Sequence, residues 1–161
     1  MATPTNLPAA QTTGNVLTAA YMNDLRGAFR ILQVVSATTT TSTSATIIAY
    51  VDTTLTVTIT PQSTTSKIFV MVNQSLYVDT ANNECNYRLL RGATVLQTQK
   101  APAFNPSAAI VGQGVFMYLD SPTTTSATTY KTQIAMAQGA GTVYANINNN
   151  PANITVFEIS A

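Results

Sequence analysis

The chain has 161 residues, 45% of them hydrophobic and only 8% charged, with a net charge of +1, no histidine and one cysteine. That length suits one domain with a short appendage, large enough to bury about 70% of its unfolded surface without staples. No Lys/Arg patch exists to neutralise phosphates, which excludes a nucleic-acid surface; no apolar run reaches the ~20 residues of a membrane span; and the lone Cys85 excludes an intrachain disulfide or a cysteine metal cluster.

Residues 1–17, with Pro4, Pro8 and Gly14, read as an extended arm. They lack the basic and apolar regions of a signal peptide, so synthesis in a cytoplasm is expected. Thr18 is placed to cap a short helix over residues 19–30, and Tyr21, Met22, Leu25, Phe29 and Leu32 form its apolar stripe. Gly27 weakens that helix by about 1 kcal/mol, so it needs something to pack on. It is the only helix expected, and residues 1–30 are assigned to attachment or oligomerisation.

The remainder, residues 31–161, reads as one antiparallel β-sandwich, jelly-roll-like in its strand spacing. Strands are expected at Ile31–Val35, Ala45–Val51 and Thr54–Thr60, with Ser36–Ser44 a low-complexity loop and Pro61 closing the third strand. Leu55-Thr56-Val57-Thr58-Ile59-Thr60 alternates apolar residues with threonine, the mark of a strand with one face in a core. Lys67–Val78 is apolar on both faces through Ile68, Phe69, Val70, Met71 and Val72, as in a central strand covered on both sides. Glu84–Leu90 and Thr94–Thr98 flank an Arg91-Gly92-Ala93 hairpin. Ile110–Leu119, Thr128–Ala137, Thr142–Ile147 and Ile154–Ile159 complete the set. Charged residues usually make up about 25% of a domain. Here Thr, Ser, Asn and Gln take their place, and β-branched threonine suits a half-exposed pleated surface.

Chemistry is conspicuously missing. Without histidine no Ser-His-Asp or Cys-His arrangement can form. Gly112 and Gly114 sit within a strand pattern, so they make no phosphate loop. The carboxylates Asp24, Asp52, Asp79, Glu84, Asp120 and Glu158 are scattered, with no spacing that suggests a catalytic pair. Asp79 to Glu84 is oxygen-rich but lacks the ligand spacing of an EF-hand, and reads as a polar turn. Cys85 reads as a small buried hydrophobe on a strand. No catalytic, cofactor-binding or metal-binding residue is expected, and the protein reads as non-enzymatic. Tyr50-Val51-Asp52-Thr53 and Tyr118-Leu119-Asp120-Ser121 echo one another, either as equivalent turns or as turns chosen independently.

The run Tyr50-Val51-Asp52-Thr53-Thr54-Leu55-Thr56-Val57-Thr58-Ile59-Thr60-Pro61, followed by Ser66-Lys67-Ile68, resembles a module of tailed-bacteriophage virion proteins. The hairpin Tyr87-Arg88-Leu89-Leu90-Arg91-Gly92 is similar to the one that follows in that module. Tyr118-Leu119-Asp120-Ser121-Pro122, with Ser126 to Lys131, is similar to its second half, and Ile154 to Ile159 to its close. Gly14 to Asp24 resembles segments that precede such modules. The resemblance implies a β-sandwich that assembles on a phage particle, often as a homotrimer, with a major capsid or other virion protein as partner. Because the sequence has no long shaft, it points to a capsid decoration or cement protein on the head surface. The alternative is a tail-fibre or receptor-binding module that contacts host carbohydrate.

Overall fold

The computed structural model describes residues 18, 31–105, 109–138 and 140–160. Among the described residues ten strands follow one another: β1 (Ile31–Thr39), β2 (Thr43–Ala45), β3 (Val51–Ile59), β4 (Lys67–Val78), β5 (Asn83–Arg91), β6 (Thr94–Asn105), β7 (Ile110–Asp120), β8 (Thr128–Met136), β9 (Val143–Ala145) and β10 (Ala152–Ile159). A 3-10 turn at Ile147–Asn149 links the last two. All pairings are antiparallel.

The strands form two sheets. In sheet A the long strands lie in the order β1-β10-β4-β7, and the short pair β9-β2 continues the line of β10 along the same edge of β4. Sheet B has the order β3-β8-β5-β6. Apart from the β5-β6 hairpin, consecutive long strands change sheet each time, which makes the jelly roll of two interlocked Greek keys. The expected all-β sandwich is therefore observed, with a strand order that periodicity alone could not supply.

Strict alternation builds the core. Along β3, Thr53, Leu55, Val57 and Ile59 face inward while Asp52, Thr54, Thr56 and Thr58 face out. Leu55, Ile68, Leu76, Leu89, Ile134 and Ile154 are fully buried between the sheets, each worth roughly 1.5–3 kcal/mol relative to exposure. Tyr87 of sheet B stacks on Phe116 of sheet A with ring centroids 4.7 Å apart. The tight hairpin is Gly92-Ala93, and Gly92 takes φ +56°, the left-handed region that the first position of such a turn demands.

Several expectations need correction. Ser36–Ser44 is not a loop, because β1 pairs with β10 as far as Thr39 and β2 starts at Thr43. A run of hydroxyl side chains reads as polar, yet nothing prevents it from forming a ladder. Ala45–Val51 is not a single strand: β2 ends at Ala45, the chain bends through residues 47–49 as it crosses from sheet A to sheet B, and β3 begins at Val51. Thr142–Ile147 shrinks to Val143–Ala145, since Asn146 adopts a left-handed φ of 59°. β6 runs beyond Thr98 to Asn105. β4 is central, as its composition suggested, but no second layer of described residues covers its outward side: Met71 is exposed, and Phe69 is half-buried beside Phe157 in the same sheet. The two Tyr-x-Asp echoes are not equivalent turns. Asp52 lies at the start of β3 and faces out, whereas Asp120 ends β7 and is buried.

Candidate assembly surface

The outer faces of the two sheets differ sharply. On sheet B the Lys131 ammonium donates to Asp52 Oδ2 at 2.7 Å, and Gln133 donates to Asp52 Oδ1. Arg88 Nε donates to Gln133 Oε1 at 2.6 Å, and its guanidinium lies 3.7 Å above the Tyr50 ring. Thr58 and Thr129 hydroxyls pair at 2.9 Å across β3 and β8. Charge is confined to a few positions among hydroxyl and amide groups, and the β6 edge adds the exposed apolar residues Val95 and Phe104. The bonds from Lys131 and then Gln133 hold the Asp52 carboxyl below its ordinary value.

Sheet A presents the opposite chemistry. Cross-strand register aligns Val34, Phe157, Phe69 and Leu119 in one row, and Ser36, Thr155, Met71 and Met117 in the next. Met117 is 65% exposed, Leu119 55% and Val34 53%. On β7 the outward positions are Val111, Gln113, Val115, Met117 and Leu119, whereas Gly112, Gly114 and Phe116 point inward. Lys67, at the end of the face, is the charged residue on these outward rows of the four long strands. Ser36, Thr38, Thr155, Asn153, Asn73 and Gln113 also lie on these outward rows, so the apolar patch is the row from Val34 to Leu119 together with Met71, Met117 and Val115. Such a patch marks a contact surface.

The glycines of β7 serve the core rather than any ligand. A Cβ on Gly114 would collide with the Tyr87 ring, so its absence lets Tyr87 cross from sheet B. The Tyr87 hydroxyl then donates at 2.9 Å to Oε1 of Gln74, the residue paired with Gly114 on β4. Thr132 donates to the same oxygen at 2.7 Å, and Thr53 meets Thr132 at 2.6 Å. A hydrogen-bonded chain thus bridges the two sheets through the middle of the sandwich. On β7, Gly112 lies against the backbone of Pro102 and Ala103 of β6, closing that side of the sandwich.

At the end of β7, Arg91 Nη1 donates to both Asp120 oxygens, at 2.7 and 2.8 Å, and the Tyr130 hydroxyl donates to Oδ2 at 2.7 Å. Burial, and then the bond to Asp120 and its charge, raise the Tyr130 phenol above its ordinary value. Asp79 and Glu158 also have structural partners. Asp79 accepts from the Thr80 hydroxyl and the Thr142 amide, fastening the Asp79–Glu84 turn to the strand that starts at Val143. Glu158 accepts from Gln33 and from the Gln62 amide. Among the described residues, no group of three His, Cys, Asp or Glu side chains could hold a metal. Cys85 is buried, which pushes its thiol up to about 12 and leaves it unreactive.

Of the predicted anchoring residues, Tyr21, Met22, Leu25 and Phe29 lie outside the described residues. Leu32 belongs to β1 rather than to a helical stripe. It is the half-buried extra residue where the β1-β10 register shifts between Ile31 and Gln33. The apolar rows of sheet A escaped sequence reasoning, because strands apolar on both sides read as doubly covered. The one available signal was the outward run Val115, Met117 and Leu119 beside inward glycines.

No family model matches the sequence, and neither does any curated protein. Among solved structures, the chain is similar to VP2 of infectious bursal disease virus in a subviral particle, with a TM-score of 0.44 and 13% identity over 81% of this chain and 38% of that one. A structure of the Gt strain of the same virus is similar with a TM-score of 0.45 and 13% identity, over 81% of this chain and 39% of that one. The chain therefore spans less than two fifths of those chains. Similarity this slight says nothing of a shared function.

Proposed function

We propose that the protein is a non-enzymatic structural component of a tailed-bacteriophage virion, a homotrimeric knob that decorates the head surface. One observation carries the reading: the residues that resemble the phage module are the ones that bind each other in the fold. Arg91 of the Arg-Gly hairpin, Asp120 of the Tyr-Leu-Asp-Ser turn and Tyr130 of the second half meet in one buried cluster. Asp52 of the first motif is paired with Lys131 of the second half, and Tyr50 is covered by Arg88 of the hairpin. Threonine-rich strands that had converged by composition alone would have no reason to place these separated residues against each other.

The two faces suit such a role. The polar face of sheet B is turned to solvent, where weakly charged hydroxyl groups tolerate changes of salt. Sheet A is turned toward the particle. The division at residue 30 belongs to this proposal: residues 31–161 form the knob and residues 1–30 serve attachment or oligomerisation, with a major capsid protein or another virion protein as partner. Removing residues 2–17 is expected to leave a folded β-protein that no longer co-sediments with particles lacking it. Native mass spectrometry of the intact chain is expected to give a trimer, and quantitation of purified virions should give as many copies as a head surface holds. A stable monomer, or the few copies of a tail component, would overturn the reading.

A further inference from the structure

We infer that one buried water molecule belongs to the sandwich, held where the ladder of sheet A breaks and bridging the side-chain amides of Gln74 and Asn146. Its presence goes beyond the virion role and does not depend on it.

Proton direction is the first argument. An amide oxygen can only accept, so the Tyr87 and Thr132 hydroxyls both donate to Gln74 Oε1. The Thr132 proton is thereby used, and the contact with Thr53 must run from Thr53 to Thr132. Thr53 in turn accepts from the Leu55 amide. Turning the Gln74 amide over would strand the Tyr87 proton, so the hydroxyls fix its orientation. Gln74 Nε2 then keeps two protons that no described residue accepts, although Gln74 is 0% exposed.

Register is the second. β4 pairs with β10 as far as Asn73 opposite Asn153, and with β9 from Leu76 opposite Ala145. Residues 146–152 therefore stand opposite Gln74 and Ser75 alone, and the ladder breaks there. Asn146 lies at the break. Its amide donates to the Ser75 carbonyl at 2.9 Å, and its left-handed φ of 59° leads the chain into the Ile147–Asn149 turn. Its side chain reaches Thr41, between β1 and β2, where Nδ2 donates to the carbonyl at 3.2 Å. Asn146 is also 0% exposed, and no described residue donates to its Oδ1. An unpartnered donor and an unpartnered acceptor thus belong to neighbouring positions of one ladder.

This pair of atoms selects the ligand. More than about 90% of buried polar groups in folded proteins have a partner. The Nε2 donor excludes a metal ion, and the Oδ1 acceptor excludes an anion. Water accepts from the first and donates to the second. Hydrogen bonds then run in one direction from the Leu55 amide through Thr53, Thr132, Gln74, the water and Asn146 to the Thr41 carbonyl. That carbonyl also accepts from the Thr54 hydroxyl, so the chain returns to β3, where it began.

X-ray and neutron diffraction from crystals of the full, deuterated chain tests the assignment. The expected result is one water oxygen about 2.7–3.2 Å from both Gln74 Nε2 and Asn146 Oδ1. A deuteron on Nε2 should point at that oxygen, and one of the water's own deuterons at Oδ1. Oxygen-17 relaxation dispersion in solution should show a water that stays bound for longer than the protein takes to tumble. No oxygen between the amides, an oxygen bonded to only one of them, or direct contact between the two would overturn the inference. So would a dispersion with no long-lived water.

Discussion

Replacing Asp120 by asparagine tests whether the Arg91-Asp120-Tyr130 cluster fastens the two sheets together. The Asp120 side chain is 6% accessible and that of Arg91 27%, so the pair is buried on one side and partly wet on the other. Removing one partner of a buried pair costs about 3–5 kcal/mol, much of it from the charge left behind. Water can still reach part of the Arg91 guanidinium, which places the expected loss at the lower end, about 3 kcal/mol. For a domain of this size each kcal/mol moves Tm by about 2–4 °C, so the fall should be about 6–12 °C. Tyr130→Phe removes one hydrogen bond to a charged acceptor and should cost about 1.5–3 kcal/mol. Because both changes act on Oδ2, the double variant should lose less than the sum of the two. Urea unfolding followed by circular dichroism, with an unchanged m value, measures all three. An Asp120→Asn variant within about 1 kcal/mol of the parent would refute the buried-pair argument, since surface pairs reach that value.

The β7 glycines and the sheet B carboxylate supply further expectations. Gly114→Ala and Gly112→Ala should each destabilise by about 1–3 kcal/mol in the same unfolding assay. Gly112→Ala should be the worse, because its Cβ meets backbone of Pro102 and Ala103 rather than a movable ring. Asp52 should titrate below 3.8 by carboxyl NMR, and Lys131→Met should raise that value. A lowered folded value means that its contribution is present above the unfolded value and is lost as the pH falls through the folded one. Asp52 is more than half exposed, so the stability change should be small even where the titration shift is clear.

Sequence periodicity revealed what each strand does locally and little of what it touches. Lys67–Val78 was legible to the residue because its inward side, Ile68, Val70 and Val72, alternates without a break. Residues 36–44 were not legible, since threonine and serine supply no period and only the partner strand β10 reveals that β1 continues. The Arg91-Asp120-Tyr130 cluster could not be deduced either. Its members lie on three strands, and nothing in the spacing of one strand records the register of another. The apolar rows on sheet A were visible as residues, but their exposure depends on the sheet ending at that layer. Legibility stopped where information passed from the neighbours of a residue to the neighbours of a strand.

The position of β10 has a consequence in time. It lies between β1 and β4, bonding Val35 through Val156 on one side and Val70 through the same residue on the other. Emerging from the ribosome, β1 has no hydrogen-bonding partner in its sheet until residues 152–159 have been made. Over that interval β4 keeps one long edge open as well, and unpaired edges invite pairing with other chains. Such long-range closure is slow, taking milliseconds to seconds in comparable β topologies. The nascent chain therefore waits for β10, and over that interval the apolar half of β1, Ile31 to Val35, is without its partner while Ser36, Thr38 and Thr39 make the other half polar.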